Sequence, residues 1–343
     1  MTRLRSNTIS GLNDDGTVFE GDITFDSPNY MTLPKGTTTQ SNRGRALVAG
    51  GYGGAYIDSI DYVNLTTSSN SLSFADLLGG ALSMGGVSSS TRGIWLGGEV
   101  SSSPNAQATI QYVTIATTGK AVSFGSLTGS AQRTMGSVSS STRGVIGGGA
   151  FPTAVNTMQY ITHASTGNST DFGDLTVARR DVAGAQSPTR GIFAGGSDPG
   201  NPKNELDYIT IASTGNATDF GNLSTTRLWL GGFSSKTRAV YGGGGNPNGE
   251  TPVNIIEYVT IASTGNATDF GDTFQNRSGV TGASTTIRGA FFGGALTFSP
   301  NYTYANTIDY VTIATTSNAT DFGDITNDGR SMSAVSDCHG GLS

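Results

Sequence analysis

One cysteine in 343 residues, Cys338, leaves no partner for an intrachain disulfide. Histidine is almost as scarce: His163 and His339 are the only two, far apart, and supply neither a histidine-rich metal centre nor a Ser-His-Asp triad. Charged residues make up only 13% of the chain, with 25 acidic against 19 basic and a net charge of −6, so no basic stripe is available to follow a phosphate backbone. Nucleic acid is therefore not an expected partner. No apolar stretch approaches the length of a membrane span, and the opening Met1-Thr2-Arg3-Leu4-Arg5 lacks the apolar run of a signal peptide. Those absences suit a product made in the cytoplasm, and equally one released from it as part of a particle. Sustained apolar spacing at three and four residues is missing too, so helix is not expected.

What the chain has instead is repetition. The segment Ile209-Thr210-Ile211-Ala212-Ser213-Thr214-Gly215-Asn216-Ala217-Thr218-Asp219-Phe220-Gly221 returns nearly unchanged from Val259 and from Val311. An Arg opening an apolar strand that runs into Gly-Gly recurs at Arg43, Arg92, Arg143, Arg190, Arg238 and Arg288, at intervals of 47 to 51 residues, with His339 in the equivalent place. A Phe recurs in step, at Phe74, Phe124, Phe172, Phe220, Phe270 and Phe322.

Each unit parses into four short strands separated by turn residues. In one unit these are strand a over Asp181 to Ser187, strand b over Gly191 to Gly196, strand c over Leu206 to Ser213 and strand d over Thr218 to Leu223. Strand c is apolar or β-branched on both faces, which predicts a sheet covered on both sides. Four strands repeated at about fifty residues predict an all-β, single β-propeller. Ser331 to Asp337 reads as a further strand a, and Asn7 to Ile9 and Val18 to Thr24 resemble strands c and d. We therefore expect seven blades, one shared between the two termini, with six blades and a free N-terminal arm as the alternative. The domain division is residues 1–40 as ring closure, attachment arm or both, and residues 41–343 as the propeller.

The repeated motifs read as construction marks. Asp-Phe-Gly at Asp171, Asp219, Asp269 and Asp321 would hold magnesium in a kinase, but neither His-Arg-Asp nor a lysine-bearing Gly-rich loop accompanies it. The Gly runs lead into neither Gly-Lys-Ser/Thr nor a helix, so they are no phosphate cradle. Structural roles are assigned to Arg92, Arg143, Arg190, Arg238 and Arg288, pairing with the repeated carboxylates Asp174, Asp272 and Asp324 or with strand-end carbonyls, and to Phe172, Phe220, Phe270 and Phe322, filling space between blades. The sequons at Asn168, Asn216, Asn266 and Asn318 belong to the repeated turn. No catalytic residue, metal ligand or cofactor is assigned. The connections from strand b to strand c vary in length and composition and fall on one rim, where recognition residues are expected. Tyr52, Phe151, Asn201, Asn246, Phe298 and Tyr302 are the ligand-binding candidates.

Gly-Gly after strand b and a Tyr in strand c (Tyr62, Tyr112, Tyr160, Tyr208, Tyr258 and Tyr310) resemble the kelch repeat, with Phe where that repeat carries Trp in strand d. The phrase Asp-Tyr-Ile/Val-Thr-Ile-Ala-Ser/Thr-Thr-Gly-Asn-Ala-Thr-Asp-Phe-Gly-Asp resembles repeats of virion structural and tail-fibre-like proteins of bacteriophages infecting marine bacteria, cyanobacteria included. Gly21 to Ser27 followed by Tyr30 to Thr38 is similar to a segment of such appendage proteins. This resemblance implies a non-enzymatic virion appendage, in many copies or as a homo-oligomer. It would be joined to other virion proteins through its N-terminal region and would adhere to a host glycan or outer-membrane protein without inserting in the membrane. A purely structural decoration or spacer is the alternative, and a carbohydrate-active propeller enzyme is the third reading, disfavoured for want of a convincing carboxylate pair.

Overall fold

A computed structural model describes residues 44–198, 201–246 and 251–338. Among them there is no helix, and the chain forms six four-stranded antiparallel sheets arranged as a β-propeller. In the second blade strand a is Gly85–Ser88, strand b Arg92–Leu96, strand c Thr109–Thr114 and strand d Val122–Ser126, hydrogen-bonded in that order. The unit parsed above forms the fourth blade, with strands Ala183–Gln186, Arg190–Ala194, Glu205–Thr210 and Thr218–Asn222. The six a strands sit innermost, each against the next and the last against the first, around a central cavity of about 150 Å³.

Ring closure uses six blades, as in the alternative expectation. Ser333–Ser336, expected to open a seventh blade, pairs instead with Arg45–Ala49 and supplies strand a of the first, whose outer strands are Ser59–Asn64 and Leu72–Asp76. The physical reason is that strand b of the first blade would otherwise present an unpaired inner edge, and this late strand saturates it. Arg45, rather than Arg43, opens that strand b; Arg43, His339 and the whole of residues 1–40, on which the arm and the shared blade rest, lie outside the described residues.

Apolar cores lie between blades rather than within them. Ile192, Leu206 and Phe220 of the fourth blade pack with Tyr241, Val259 and Ile261 of the fifth, and Ala46, Val48 and Val63 of the first pack with Phe292, Ile308 and Phe322 of the sixth. This is why strand c is apolar on both faces: each sheet is covered by two neighbours.

The recurring residues link these layers. In every blade the strand b Arg lies over the strand c Tyr, from Arg45 over Tyr62 at 4.8 Å to Arg288 over Tyr310 at 4.8 Å, and that Tyr meets the strand d Phe edge-on. The guanidinium then crosses to the next blade and donates to carbonyls at the end of its strand c. Arg143 reaches Ile211 and Ala212 at 3.1 and 3.0 Å, Arg238 reaches Ile313 and Ala314 at 3.0 and 2.8 Å, and Arg288 closes the circle on Thr66 at 3.0 Å. The partners are these carbonyls, and among the described residues the Asp174, Asp272 and Asp324 carboxylates form no ion pair with the repeated arginines. The sequon asparagines link in the opposite sense: Asn216 Oδ1 accepts the Asp174 N–H at 3.0 Å and Asn318 Oδ1 accepts that of Asp272 at 3.1 Å. Each Phe occupies a β-bulge; between the pairs Asp207↔Asp219 and Leu206↔Gly221, Phe220 has no partner on strand c and turns into the interblade core.

Gly-Gly after strand b answers a close approach. Gly195 has φ +59°, and a Cβ there would lie 2.6 Å from the Arg227 carbonyl oxygen of the next link. An L side chain is opposed by both the backbone angle and the space.

Candidate functional site at the mouth of the central cavity

Strand a begins and strand b ends at the same end of each blade, so the links entering strand a and the b-to-c connections meet on one face. Leu82 and Glu99 show the junction, exchanging backbone hydrogen bonds of 3.0 and 2.8 Å. One residue from each link forms a closed circle of backbone hydrogen bonds around the axis. Ser83 donates to Ser331, Ser331 to Gly279, Gly279 to Trp229, Trp229 to Asp181, Asp181 to Thr134 and Thr134 back to Ser83, at 2.7 to 3.4 Å. All six have positive φ, between 54° and 73°, and the five that are not glycine are the only such non-glycine residues among those described. A β-branched threonine at φ 62° is a true outlier, so the hoop is held in place by what surrounds it.

A cavity of about 200 Å³ opens over this hoop, lined by Glu99, Arg133, Arg180, Asp181, Trp229 and Arg330 among others. Asp181, 6% exposed, is fixed from three sides: Trp229 Nε1 donates to its Oδ1 at 2.7 Å, Ser197 Oγ donates to its Oδ2 at 3.2 Å, and Arg180 Nε lies 3.4 Å from Oδ2. Burial raises its pKa above the ordinary carboxylate value, against the lowering pull of Arg180 and of the two hydrogen bonds. Across the mouth Glu99 pairs with Arg133 and accepts the Tyr56 hydroxyl at 3.0 Å. Burial, then the hydrogen bond to Glu99, raises the Tyr56 phenol.

Aromatic rings complete the rim. Tyr52 meets Tyr56 and Tyr304 edge-on at 5.6 and 6.2 Å, Trp229 stacks on Phe298 at 6.0 Å and 13°, and Phe298 meets Tyr302 at 5.9 Å. The Arg330 guanidinium stands between the two groups, 5.8 Å from the Tyr52 ring and 5.7 Å from that of Trp229, and its backbone pairs with Tyr52 in both directions at 3.0 Å.

Of the six rim candidates, Tyr52 thus belongs to one of the two aromatic groups around the mouth, and Phe298 and Tyr302 to the other. Phe151, Asn201 and Asn246 stand on the b-to-c connections of the third, fourth and fifth blades and make none of their ring contacts. Sequence reasoning missed Trp229, Arg330, Arg180, Asp181, Arg133 and Glu99. A signal existed for Trp229: aligned on the repeat, its position holds Ser83, Thr134, Asp181, Gly279 and Ser331 elsewhere, and one large ring among small residues marks a place where the repeat is broken.

Three buried ion pairs were missed as well. Arg179 with Asp207 at 2.9 Å, Arg227 with Glu257, and Arg277 with Asp309 bring arginines with no exposed side-chain surface against carboxylates just before the strand c Tyr. Each arginine also donates to carbonyls of its blade, Arg179 to Gly195 and Glu205 at 2.7 Å each and to Phe193 at 3.3 Å. Burial lowers all three arginine pKa values, that of Arg277 to about 10. Their place is structural, beneath the links that build the mouth. Among the described residues no group of three or more His, Cys, Asp or Glu side chains is placed to hold a metal ion. No protein-family model matches this chain, and no curated protein matches its sequence.

Proposed function

We propose that this chain is a non-enzymatic adhesion module of a bacteriophage virion, a kelch-like propeller that presents its b-to-c face to the host surface. The observation that carries the reading is the rim itself: Tyr302, 52% exposed, with Phe298, Tyr52, Tyr56, Tyr304 and Trp229 ranged around a mouth whose backbone is a closed, strained hoop. Aromatic side chains offer large contact area for little lost conformational entropy, and a rigid base lowers the cost of binding. The carboxylates at the mouth favour binding over hydrolysis, because Glu99 is engaged by Arg133 and Tyr56, and Asp181 by Trp229, Ser197 and Arg180. The bacteriophage assignment is supported by the repeated phrase ending Asp-Phe-Gly-Asp and by residues 21–38, with attachment to other virion proteins through the N-terminal region. Many copies on a particle would turn weak single contacts into firm adhesion.

The test is capture of envelope fractions from a panel of marine bacteria, cyanobacteria included, on the immobilised protein, beside adsorption of virions with and without it. Capture from at least one host is expected, reduced at least tenfold by the pair Phe298→Ser and Tyr302→Ser. A flat null over the panel, with normal adsorption of virions lacking the protein, would sink the adhesion reading and leave that of a structural decoration or spacer.

A further inference from the structure

The charges at the mouth do not cancel. Three guanidiniums, Arg133, Arg180 and Arg330, face two carboxylates, and the pairs Arg133–Glu99 and Arg180–Asp181 account for two of them. Arg330 has no carboxylate partner among the described residues. It lies between the Tyr52 and Trp229 rings, and its Nε is buried without a hydrogen-bond partner. The Thr134 hydroxyl, on the hoop, is likewise buried and unpaired, and it lines the same cavity. Buried Nε atoms are also unpaired in Arg179, Arg180, Arg227 and Arg277, so what sets this place apart is the unpaired Thr134 hydroxyl beside a guanidinium without a carboxylate, a combination suited to a hydrogen-bonding anion.

Size and setting define that anion further. The cavity, about 200 Å³, falls below the roughly 300–1,000 Å³ of sites that enclose drug-sized ligands, so it takes a single small ring rather than a chain. A guanidinium presents a planar fork that matches a carboxylate in two hydrogen bonds, and rings on either side hold that fork in orientation. The hoop below supplies a hydroxyl acceptor and donor, and the Tyr302–Phe298 edge above supplies apolar area where the rest of a glycan would emerge. We propose that the mouth binds one acidic sugar residue, a uronic acid, with its carboxylate on Arg330 and a ring hydroxyl on Thr134. The inference rests on the adhesion reading and names its ligand class.

Trp229 reports on the site directly, because the only other tryptophan, Trp95, is fully buried elsewhere. The experiment is titration of the whole protein with galacturonate, galactose, glucose 6-phosphate, inorganic phosphate and sulfate, followed by tryptophan fluorescence and calorimetry. Saturable binding of galacturonate is expected, with galactose and the inorganic anions at least tenfold weaker. Arg330→Met should weaken galacturonate binding tenfold or more, and Thr134→Val, which keeps side-chain shape, should weaken it severalfold with an unchanged melt. Equal binding of phosphate or sulfate would make this a simple anion site and overturn the assignment. Glucose 6-phosphate binding more tightly than galacturonate, or galactose binding as well as it does, would overturn the carboxylate. No saturable binding by any probe would overturn the site altogether. Envelope capture decides the adhesion reading separately: capture that persists and still depends on Tyr302 and Phe298 leaves that reading standing without this ligand.

Discussion

At the residue scale the buried arginines show how one repeat tolerates two chemistries. Before the strand c Tyr the six blades carry Asp61, Gln111, Gln159, Asp207, Glu257 and Asp309, and each uses a side-chain oxygen to accept a backbone N–H of the preceding blade. Gln111 accepts from Leu78 at 2.7 Å, Glu257 from Ser224 at 2.9 Å and Asp61 from Thr326 at 2.9 Å. The three acids with Arg179, Arg227 and Arg277 in the preceding link form ion pairs, whereas Gln111 and Gln159 follow links carrying Ala81 and Gln132. Charge thus appears or disappears on both sides together, as the cost of an uncompensated buried ion demands. Asp61, whose link carries Gly329, is the exception; Ser71 and Thr326 bind its Oδ2, and its Oδ1 is left buried and unpaired. Glu257→Gln should accordingly cost about 3–5 kcal/mol by stranding Arg227. The double variant Arg227→Gln and Glu257→Gln, which copies the residues of the third blade, should recover much of that loss in denaturant titration. A double variant no more stable than the single one would show that the carbonyls of Gly243 and Ile255, which also take Arg227, outweigh the charge.

Among the elements, strand b carries the link that makes neighbouring blades one body. Arg238 lies 4.5 Å from the centre of the Tyr258 ring and donates to two carbonyls of the sixth blade, which uses both the face and the fork of its guanidinium. Lysine offers a point charge and cannot do both. Arg238→Lys should lower stability by about 1–2 kcal/mol in urea titration while leaving envelope capture intact, since this end of the blade is opposite the mouth. Lost capture with an unchanged melt would instead make the arginine a ligand contact. Much of this scale was legible in the sequence. The spacing of Arg, Tyr and Phe shows the four-strand unit because each repeats a contact that each blade must make with the next. The mouth was less legible, since Arg330 and Trp229 gain their meaning from meeting across the axis, and no local spacing records that Tyr52 of the first blade will lie beside Tyr304 of the sixth. The variable loops point to the rim that carries the candidate site, and of the six residues drawn from them Tyr52, Phe298 and Tyr302 join its two aromatic groups.

For the whole molecule the open question from sequence was how the circle closes, and the arithmetic of seven units misled for a physical reason. A strand a at the end of the repeats looks the same whether it opens a new blade or completes the first, because both environments bury the same face against the same kind of neighbour. What decides between them is the edge of Arg45–Ala49, which has lost its inner partner in the chain order and recovers it in Ser333–Ser336 through the pairs Ala46↔Ser336 to Ala49↔Ser333. Around that joint further contacts complete the ring, among them Arg288 on Thr66, Asn70 on the Asp324 N–H at 3.1 Å, and Ser331 in the backbone hoop. Closure is therefore shared between inner, outer and axial contacts, and the hoop cannot exist with one member absent. Deleting residues 331–343 should remove the innermost strand of one blade, expose the edge of Arg45–Ala49 and open the hoop at Gly279 and Ser83. The expected result is a melt broadened and lowered by well over 10 °C, with self-association through the bared edge in sedimentation. Adding a peptide spanning Ser331–Asp337 should restore a sharp transition in a concentration-dependent manner, because binding only to the folded ring stabilises it by mass action. A truncated protein that stays monomeric and melts as the full chain does would mean that the interblade cores alone hold the ring, and that the strand added last is not what closes it.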